Sequence, residues 1–301
     1  MRDVSAKIWT LRTAVARARL LCSPESIRLI EEDRAPKGDP RPVARVAAIL
    51  AAKNTPQWIP YCHNVSLDWV EVEFNLGQDF IEVQVSVRAI YKTGVEMEAL
   101  TAAAAAALNL YDLLKPVDRD LKIESIELLR KTGGKSNARQ LADSAWRGAV
   151  LVCSDRASSG EYSDASGPIL MKGIAEFGGE LADYQIGPDD PSKIQSTLRG
   201  WTEAHIDVIL VSGGTGISSR DTTPEAVAEL LDRRLPGIEE RFRSYSMDRT
   251  PLAMFSRAVA GIRKSSIIVT LPGSPSAAED AIDCLFPYLL HAPSILRGDG
   301  H

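Results

Sequence analysis

Apolar residues in the first 130 positions of the chain recur with two different periods. Spacings of three and four residues, which place side chains on one face of a helix, predict helices over 8–21, 24–33, 43–53 and 95–114. Apolar and polar residues alternate elsewhere, which predicts strands over 67–74, 80–87 and 121–130. Gly77, between the first two of these strands, favours a β-hairpin. Helices and antiparallel strands in this order predict an α+β fold, an antiparallel sheet with helices on one face.

The second half of the chain has a different pattern, in which continuous apolar strands are each followed by a helix. The predicted strands cover 149–153, 206–211 and 267–271. The predicted helices cover 165–177, a segment from Pro224 onward, and a segment that ends near Leu290. Repeated units of strand, loop and helix indicate an α/β domain of three layers with a mostly parallel sheet. Ligand-binding loops are expected at the carboxyl ends of such strands.

A polar segment without a period separates the two patterns. Residues 133–144 read GGKSNARQLADS, a composition typical of a linker. We therefore predict a front domain over 1–136, a linker over 137–147 and a rear domain over 148–301.

Composition excludes several classes of protein. The 301 residues are 45% hydrophobic and 25% charged, as in a globular protein, and the net charge of −5 argues against a nucleic-acid partner. The start of the chain lacks the unbroken apolar run of a signal peptide, and the alanine-rich run near residue 100 is too short to span a membrane. The cysteines are Cys22, Cys62, Cys153 and Cys284, widely scattered as reduced thiols usually are. We expect a cytoplasmic protein that does not bind membranes.

The sharpest motif of the rear half is SGGTG at 212–216, directly after a predicted strand. Its glycines, Gly213, Gly214 and Gly216, allow positive φ angles and let backbone N–H groups approach an anion. No lysine follows the last glycine, so the loop differs from a Walker A motif. Asp221 lies just before a predicted helix, where it could be an ordinary helix cap or a Mg²⁺ ligand beside bound phosphates.

Other polar loops of the rear half follow the strands of the same predicted sheet. They read SDRASSG at 154–160, an acidic pair at 189–190, RDTTPEA at 220–226 and LPGSP at 271–275. Together with the glycine loop they supply candidate ligand-binding and catalytic residues, namely Ser154, Asp155, Arg156, Asp189, Gly213, Gly214, Thr215, Gly216, Asp221 and Ser274.

These motifs, over roughly 148–291, resemble the molybdopterin adenylyltransferase family, the pterin-binding domain of molybdenum cofactor biosynthesis. The resemblance implies transfer of AMP from Mg-ATP to the phosphate of molybdopterin, with ATP as a substrate and Mg²⁺ as the metal. It also implies that Asp189 and Asp221 are the functional acids, with Asp221 as the proposed Mg²⁺ ligand. Ile217 stands where the family often has proline. A rear domain that binds the pterin without catalysing a reaction is the alternative.

The front half contains a second set of motifs. They read DVSAK at 3–7, KGD at 37–39, PYCHN at 60–64, KTGVEMEALTAA at 92–103, YD at 111–112 and KTGGKS at 131–136. Simpler interpretations exist for single residues, because Asp112 and Lys115 have the spacing of a helical ion pair and His63 could be a satisfied imidazole. Cys62 and His63 lack further ligands for a zinc site.

Taken as a set, these motifs resemble cyclic pyranopterin monophosphate synthase. The resemblance implies conversion of a cyclic dihydro-GTP intermediate to cyclic pyranopterin monophosphate with release of pyrophosphate. No metal is expected in this half, because no set of metal ligands is visible in its sequence. It carries over Asp112 as the catalytic acidic residue, with Lys37, Lys115 and Lys131 as basic partners. It also implies a set of substrate-binding residues, namely Tyr61, Cys62, His63, Met97 and Glu98. Tyr61 and Asn64 depart from the LCHP sequence that is more frequent in the family.

The chain therefore resembles a fusion of two enzymes of molybdenum cofactor biosynthesis with pterin and nucleotide substrates. A further alternative is that both halves are regulatory domains that bind nucleotides. If 95–114 is one helix, Glu98 and Asp112 lie about 21 Å apart along its axis. We therefore expect a homo-oligomer whose front-domain sites are shared between subunits. The assemblies expected are a hexamer or trimer of dimers for the front domain and a trimer for the rear domain.

Overall fold

The structure is a computed structural model that describes residues 1–134, 145–158, 160–161 and 163–298. The chain divides into two compact units, Met1–Asn137 and Ala138–His301. Residues 137–144 of the predicted linker lie outside the described residues, as do Lys135 and Ser136 of the KTGGKS motif. The predicted domain boundaries therefore stay a prediction.

The front unit is a four-stranded sheet covered by helices. Its elements are β1 (Thr10–Leu21), α1 (Pro24–Glu31), α2 (Pro40–Lys53), α3 (Thr55–Trp58), β2 (Trp69–Leu76), β3 (Phe80–Tyr91), α4 (Glu96–Leu114) and β4 (Lys122–Thr132). The strands are ordered β2-β3-β1-β4, and every neighbouring pair is antiparallel. This architecture confirms the predicted α+β class, and β2 and β3 form the predicted hairpin.

Small residues allow the helices of the front unit to lie close to the sheet. Ala102 and Ala106 on α4 are fully buried, as are Ala14 and Ala18 on β1. Leu110 on α4 is also fully buried and belongs to the same core. Burial of this face holds α4 against the sheet along its length, so the helix runs without a break.

The helix predicted over 8–21 is wrong, because this segment forms strand β1. Ala14, Ala16, Ala18 and Leu20 alternate with less buried neighbours such as Arg17, and all four are fully buried. The strand is paired on both sides, with β3 and with β4. Alanine favours helix in isolation, but pairing with two strands and burial of every second residue override that preference.

The rear unit is an α/β domain built on a six-stranded sheet. Its elements are β5 (Arg147–Cys153), α5 (Asp155–Ser158), α6 (Ser166–Glu176), β6 (Glu180–Gly187), α7 (Pro191–Glu203), β7 (Val208–Ser212), α8 (Thr223–Ala228), β8 (Arg233–Arg234), α9 (Pro236–Met247), a 3₁₀ helix (Pro251–Phe255), β9 (Ala260–Arg263), β10 (Ser266–Leu271), α10 (Pro275–Leu285), a 3₁₀ turn (Tyr288–Leu290) and α11 (His291–Arg297).

The sheet of the rear unit is ordered β6-β5-β7-β10-β9-β8. Strands β6, β5, β7 and β10 are parallel, whereas β9 and β8 are antiparallel additions at one edge. This confirms the predicted α/β class with a mostly parallel sheet. The loops after β5, β7 and β10 leave adjacent strands at the same edge of the sheet, which brings the three predicted ligand loops together.

Two further findings concern the described part of the chain. None of its helices is long and apolar enough to cross a membrane. All four cysteines are free thiols, and Cys22, Cys153 and Cys284 are buried.

Candidate active sites

The glycine loop of the rear unit packs closely against the end of β5. Gly213 and Gly214 have φ angles of +107° and +61°, which favour glycine. A Cβ atom on Gly213 would lie 2.0 Å from the carbonyl oxygen of Cys153, so no side chain fits there. A Cβ atom on Gly214 would lie 2.3 Å from Thr223 Oγ1 and 2.7 Å from Asp189 Oδ1. The loop therefore meets Thr223 and Asp189 at close range.

Asp189 is half-buried and has an unused acceptor atom. Its backbone N–H donates to Asp155 Oδ1 at 3.1 Å, and its Oδ2 accepts from the backbone N–H of Asp155 at 3.4 Å. Its Oδ1 is buried without a hydrogen-bond partner in the described structure. Burial raises the pKa of Asp189, and the negative charges of Asp155 and Asp221 raise it further. A cation or a hydrogen-bond donor from a ligand would satisfy this carboxylate.

The donor set at this loop fits a magnesium ion that also binds a nucleotide. Mg²⁺ in phosphate-transfer sites is commonly held by one or two carboxylates together with phosphate oxygens of the substrate. Asp189 offers its unpartnered Oδ1 to such an ion. The described residues contain no cluster of three or more histidine, cysteine or acidic side chains that could hold a metal alone. The phosphate oxygens would therefore have to complete the coordination.

Asp221 does not cap the helix that follows it. Helix α8 begins at Thr223, and its N-cap is Thr222 without a side-chain capping bond. Asp221 Oδ2 instead accepts from the backbone N–H of Ser218 at 2.8 Å. A Cβ atom on Gly216 would lie 2.9 Å from the same oxygen. The carboxylate thus lies against the last glycine of the loop, and the ordinary-cap interpretation is wrong.

Arg257 joins the two halves of this loop region and was not identified from the sequence. Its backbone N–H donates to the carbonyl of Thr215 at 3.0 Å, and its Nε donates to the carbonyl of Gly216 at 2.7 Å. Its guanidinium also donates to the backbone carbonyl of Asp221 at 2.5 Å and pairs with Glu225. Arg257 stands alone in the segment MFSRA, and no motif or spacing around it identifies it as a site residue.

A cavity of about 630 Å³ opens beside the glycine loop. The loops after β5, β7 and β10 form one part of its wall, with Ser154, residues 213–216 and Ser274, and Asp189 and Asp221 also line it. Ser274 caps α10, because its Oγ accepts from the backbone N–H of Ala277 at 3.2 Å. Asp155 reaches the site through Asp189, whereas Arg156 on α5 is not part of the cavity wall.

Three of the four predicted catalytic residues of the front unit meet at the carboxyl end of α4. Lys115 Nζ lies 2.6 Å from Asp112 Oδ1, and Lys37 Nζ lies 3.6 Å from Asp112 Oδ2. Lys115, and then Lys37, hold the pKa of Asp112 below its ordinary value, and Asp112 raises the pKa of Lys115. The expected helical ion pair is therefore present, and Lys37 adds a second cation to it.

The other predicted residues of the front unit lie near the opposite end of α4. Glu98 is only 3% exposed, and burial raises its pKa from the ordinary 4.5 to about 7, with a further contribution from Glu96. Burial raises the pKa of Cys62 as well, and so does the charge of Glu98. His63 Nε2 lies 2.9 Å from the backbone oxygen of Arg2, which makes it a satisfied imidazole.

Three further candidates complete this end of the helix. Lys131 Nζ lies 3.1 Å from Glu96 Oε1 rather than beside Asp112. Tyr61 and Met97 are exposed, Tyr61 by 78% and Met97 by 37%. One chain therefore has two separate groups of candidate residues, one at each end of the unbroken helix α4.

The folds and sites define the class of this protein. The front unit contains a cluster of two lysines and one aspartate, and the rear unit contains a glycine loop beside two half-buried aspartates. Family models match both halves, the MoaC family over residues 1–134 and the probable molybdopterin binding domain over residues 149–291. The chain is thus a two-domain protein of molybdenum cofactor biosynthesis.

Relatives along the whole chain identify the family. The molybdenum cofactor biosynthesis bifunctional protein of Chlorobaculum tepidum is 42% identical over 301 residues, which cover 100% of this chain and 96% of the relative. The chain belongs to the family of molybdenum cofactor biosynthesis bifunctional proteins, as the sequence motifs predicted.

Other relatives match one half only. The cyclic pyranopterin monophosphate synthase of Thermomicrobium roseum is 48% identical over 145 residues, which cover 48% of this chain and 87% of the relative. Among solved structures, the molybdopterin biosynthesis enzyme MoaB of Thermus thermophilus is 40% identical, with a TM-score of 0.49. The match covers 51% of this chain and 97% of the MoaB chain.

Proposed function

We propose that the front unit is a cyclic pyranopterin monophosphate synthase, which acts on the cyclic dihydro-GTP intermediate. The observation that carries this proposal is the cluster of Lys37, Asp112 and Lys115, in which two cations flank one carboxylate. A relative with 48% identity over the front unit has that enzyme name. A triphosphate substrate needs this kind of cationic environment, because its charge must be neutralised while pyrophosphate leaves.

The charges of this cluster assign a role to each residue. A hydroxyl oxygen of the substrate bonds to the α-phosphorus, the bond from that phosphorus to the bridging oxygen breaks, and pyrophosphate departs. Asp112 has a lowered pKa, so it is a carboxylate at neutral pH and can accept the hydroxyl proton. Lys115 has a raised pKa, so it stays protonated and stabilises the departing phosphates together with Lys37.

The two ends of α4 serve one site only if two subunits contribute to it. Glu98 and Asp112 are fourteen residues apart on an unbroken helix, about 21 Å along its axis. One small substrate does not reach both ends. A homo-oligomer with a two-fold interface places Glu98 of one subunit near Asp112 and Lys115 of another, and it repeats that arrangement symmetrically.

The rear unit binds molybdopterin and transfers AMP to it from Mg-ATP. The observation that carries this part of the proposal is the cavity whose wall combines the glycine loop with the unpartnered Oδ1 of Asp189. A phosphate oxygen of molybdopterin bonds to the α-phosphorus of ATP, and the bond from that phosphorus to pyrophosphate breaks. Bound Mg²⁺ would neutralise the phosphates at this step. Asp189 and Asp221 would hold that ion, and backbone N–H groups of 213–216 would orient the phosphates.

Product analysis tests both activities on the full chain. Mass spectrometry should detect cyclic pyranopterin monophosphate and pyrophosphate when the cyclic dihydro-GTP intermediate is supplied. In a separate reaction it should detect adenylylated molybdopterin only when ATP and Mg²⁺ are both present. Absence of the first product refutes the synthase assignment. Binding of molybdopterin without any adenylylated product would make the rear unit a pterin-binding carrier.

A further inference from the structure

Helices, rather than strand loops, form a second part of the wall of the rear cavity. Ser246 of α9 and Asp280 of α10 line this part, with Leu252 and Phe255 of the 3₁₀ helix. The side chain of Asp280 is only 14% exposed. The acids at the strand loops already have a use in the proposed transfer, but the half-buried Asp280 at this other part of the cavity has none.

The carboxylate of Asp280 is held in place and keeps acceptor capacity. Ser246 Oγ donates to Asp280 Oδ2 at 2.7 Å, and Arg249 Nε lies 3.4 Å from Asp280 Oδ1. A carboxylate has about four lone-pair sites, so these two contacts leave room for two more hydrogen bonds. Burial raises the pKa of Asp280, as do the charges of Asp283 and Glu279, whereas Ser246 and Arg249 oppose that rise. A ligand that donates hydrogen bonds would satisfy this carboxylate.

The chemistry of the two proposed substrates decides which ring fits such an acid. The pyrimidinone edge of a pterin carries two neighbouring donors, the ring N3–H and the 2-amino group, which match the two oxygens of a carboxylate. The corresponding edge of adenine carries one donor beside an unprotonated ring nitrogen, which a carboxylate repels. Leu252 and Phe255 add apolar surface for a flat ring. The helical part of the cavity therefore suits the pterin better than the adenine.

We propose that Asp280 determines the specificity of the rear cavity by accepting hydrogen bonds from the N3–H and 2-amino groups of the pterin. This inference rests on the proposed function in one respect, that the rear unit binds a pterin. It assigns an orientation as well, because a pterin ring held at Asp280 directs its phosphate-bearing side chain toward the strand loops and Asp189. Adenine must then bind elsewhere than on Asp280.

A ligand pair that differs at one group tests the proposal on the full chain without ATP. The probes are 6-hydroxymethylpterin and 6-hydroxymethyllumazine, in which an oxygen replaces the 2-amino group. Calorimetry should show that the unmodified chain prefers the pterin by about 10- to 100-fold, the range expected for a hydrogen bond to a charged group. In the Asp280→Asn variant the new amide donates to the lumazine oxygen and still accepts from N3–H, so the preference should vanish or reverse.

The matched control is Glu279→Gln, which removes the same charge from the exposed neighbouring position. It should keep the preference of the unmodified chain. Equal affinity of the unmodified chain for the two probes overturns the proposal, and so does an Asp280→Asn variant with an unchanged affinity ratio. If that variant does not fold, Asp280→Glu, which displaces the carboxylate by one methylene, serves instead. An unchanged affinity of Asp280→Glu for the pterin overturns the proposal.

The binding assay also separates this inference from the proposed transfer reaction. A preference for the pterin that depends on Asp280, with no adenylylated product in the transfer assay, supports this inference and refutes only the transfer. Adenylylated product together with equal binding of the two probes refutes only this inference. No binding of either probe refutes this inference together with pterin binding by the rear unit.

Discussion

Replacement of Glu98 by glutamine should remove a pH-dependent loss of stability from the front unit. The Glu98 side chain is buried, and its pKa is raised from 4.5 to about 7. In the unfolded chain the carboxyl group ionises near 4.5, whereas in the folded chain it stays protonated up to about 7. The unfolded state therefore loses its proton first, and the free energy of unfolding falls as pH rises from 4.5 to 7.

The size of this effect follows from the shift in pKa. Each pKa unit corresponds to about 1.4 kcal/mol, so the full shift lowers the free energy of unfolding by roughly 3 kcal/mol above pH 7. Below the unfolded pKa of 4.5 the penalty is absent, because the group is protonated in both states. Glutamine has a similar shape and does not ionise. The free energy of unfolding of Glu98→Gln, relative to that of the unmodified chain, should therefore rise by roughly 3 kcal/mol as the pH is raised from 4 to 8.

Hydrogen exchange of the full chain in increasing urea measures this gain at the level of one helix. Peptides from α4 (Glu96–Leu114) give the observed exchange rate of this helix. The ratio of the intrinsic to the observed exchange rate at each pH gives the opening free energy of the front unit. Glu71→Gln, which neutralises an exposed carboxylate on β2, is the matched control and should keep the pH dependence of the unmodified chain. The opening free energies of Glu98→Gln and of the unmodified chain are then compared at each pH. If their difference stays constant from pH 4 to pH 8, Glu98 is ionised in both the folded and the unfolded state.

Four further predictions concern the two proposed activities. Asp112→Ala should abolish synthase product with an unchanged circular dichroism spectrum, and near-normal turnover would remove Asp112 from the mechanism. A mixture of inactive Asp112→Ala and inactive Glu98→Ala proteins should regain part of the synthase activity when subunits exchange. No recovery despite exchange would mean that each site is built within one chain. Asp221→Asn should lower AMP transfer by at least 10-fold more than it lowers molybdopterin affinity, since an amide is a poor Mg²⁺ ligand; equal losses would assign it a purely structural role. Arg257→Ala should raise the KM for ATP at unchanged Tm, because it frees the glycine loop, and an unchanged KM would contradict that role.

Much of the fold could be predicted because local pattern and final structure agree in most elements. The hairpin around Gly77 and helix α4 lie where the pattern placed them. Strand β1 was missed because three of the four residues of its fully buried face are alanines, which favour helix, and only pairing with β3 and β4 makes it a strand. The short antiparallel strands β8 and β9 were missed as well, because two and four residues are too few to show a period.

Residues of the candidate sites could be identified from the sequence where they stand in a motif, and they were missed where their role depends on distant contacts. The acidic residue Asp112 and the glycine loop stand in recognisable sequence contexts. Arg257 acts through backbone carbonyls that lie more than thirty residues away in sequence, and nothing in its neighbourhood signals those partners. The burial of Glu98, and hence the raised pKa of its carboxyl group, likewise depends on how the whole helix packs against the sheet.

The unbroken helix α4 also limits how this chain can change in length during evolution. Inserting one residue between Glu98 and Asp112 would turn one end of the helix by about 100° relative to the other and lengthen it by about 1.5 Å. The alanine face that lies on the sheet could then match only one half of the helix, and the two clusters would no longer keep their relative orientation. Length changes are therefore excluded from this segment. The loop that follows Lys115, residues 116–121, is where insertions can be accepted without turning either cluster.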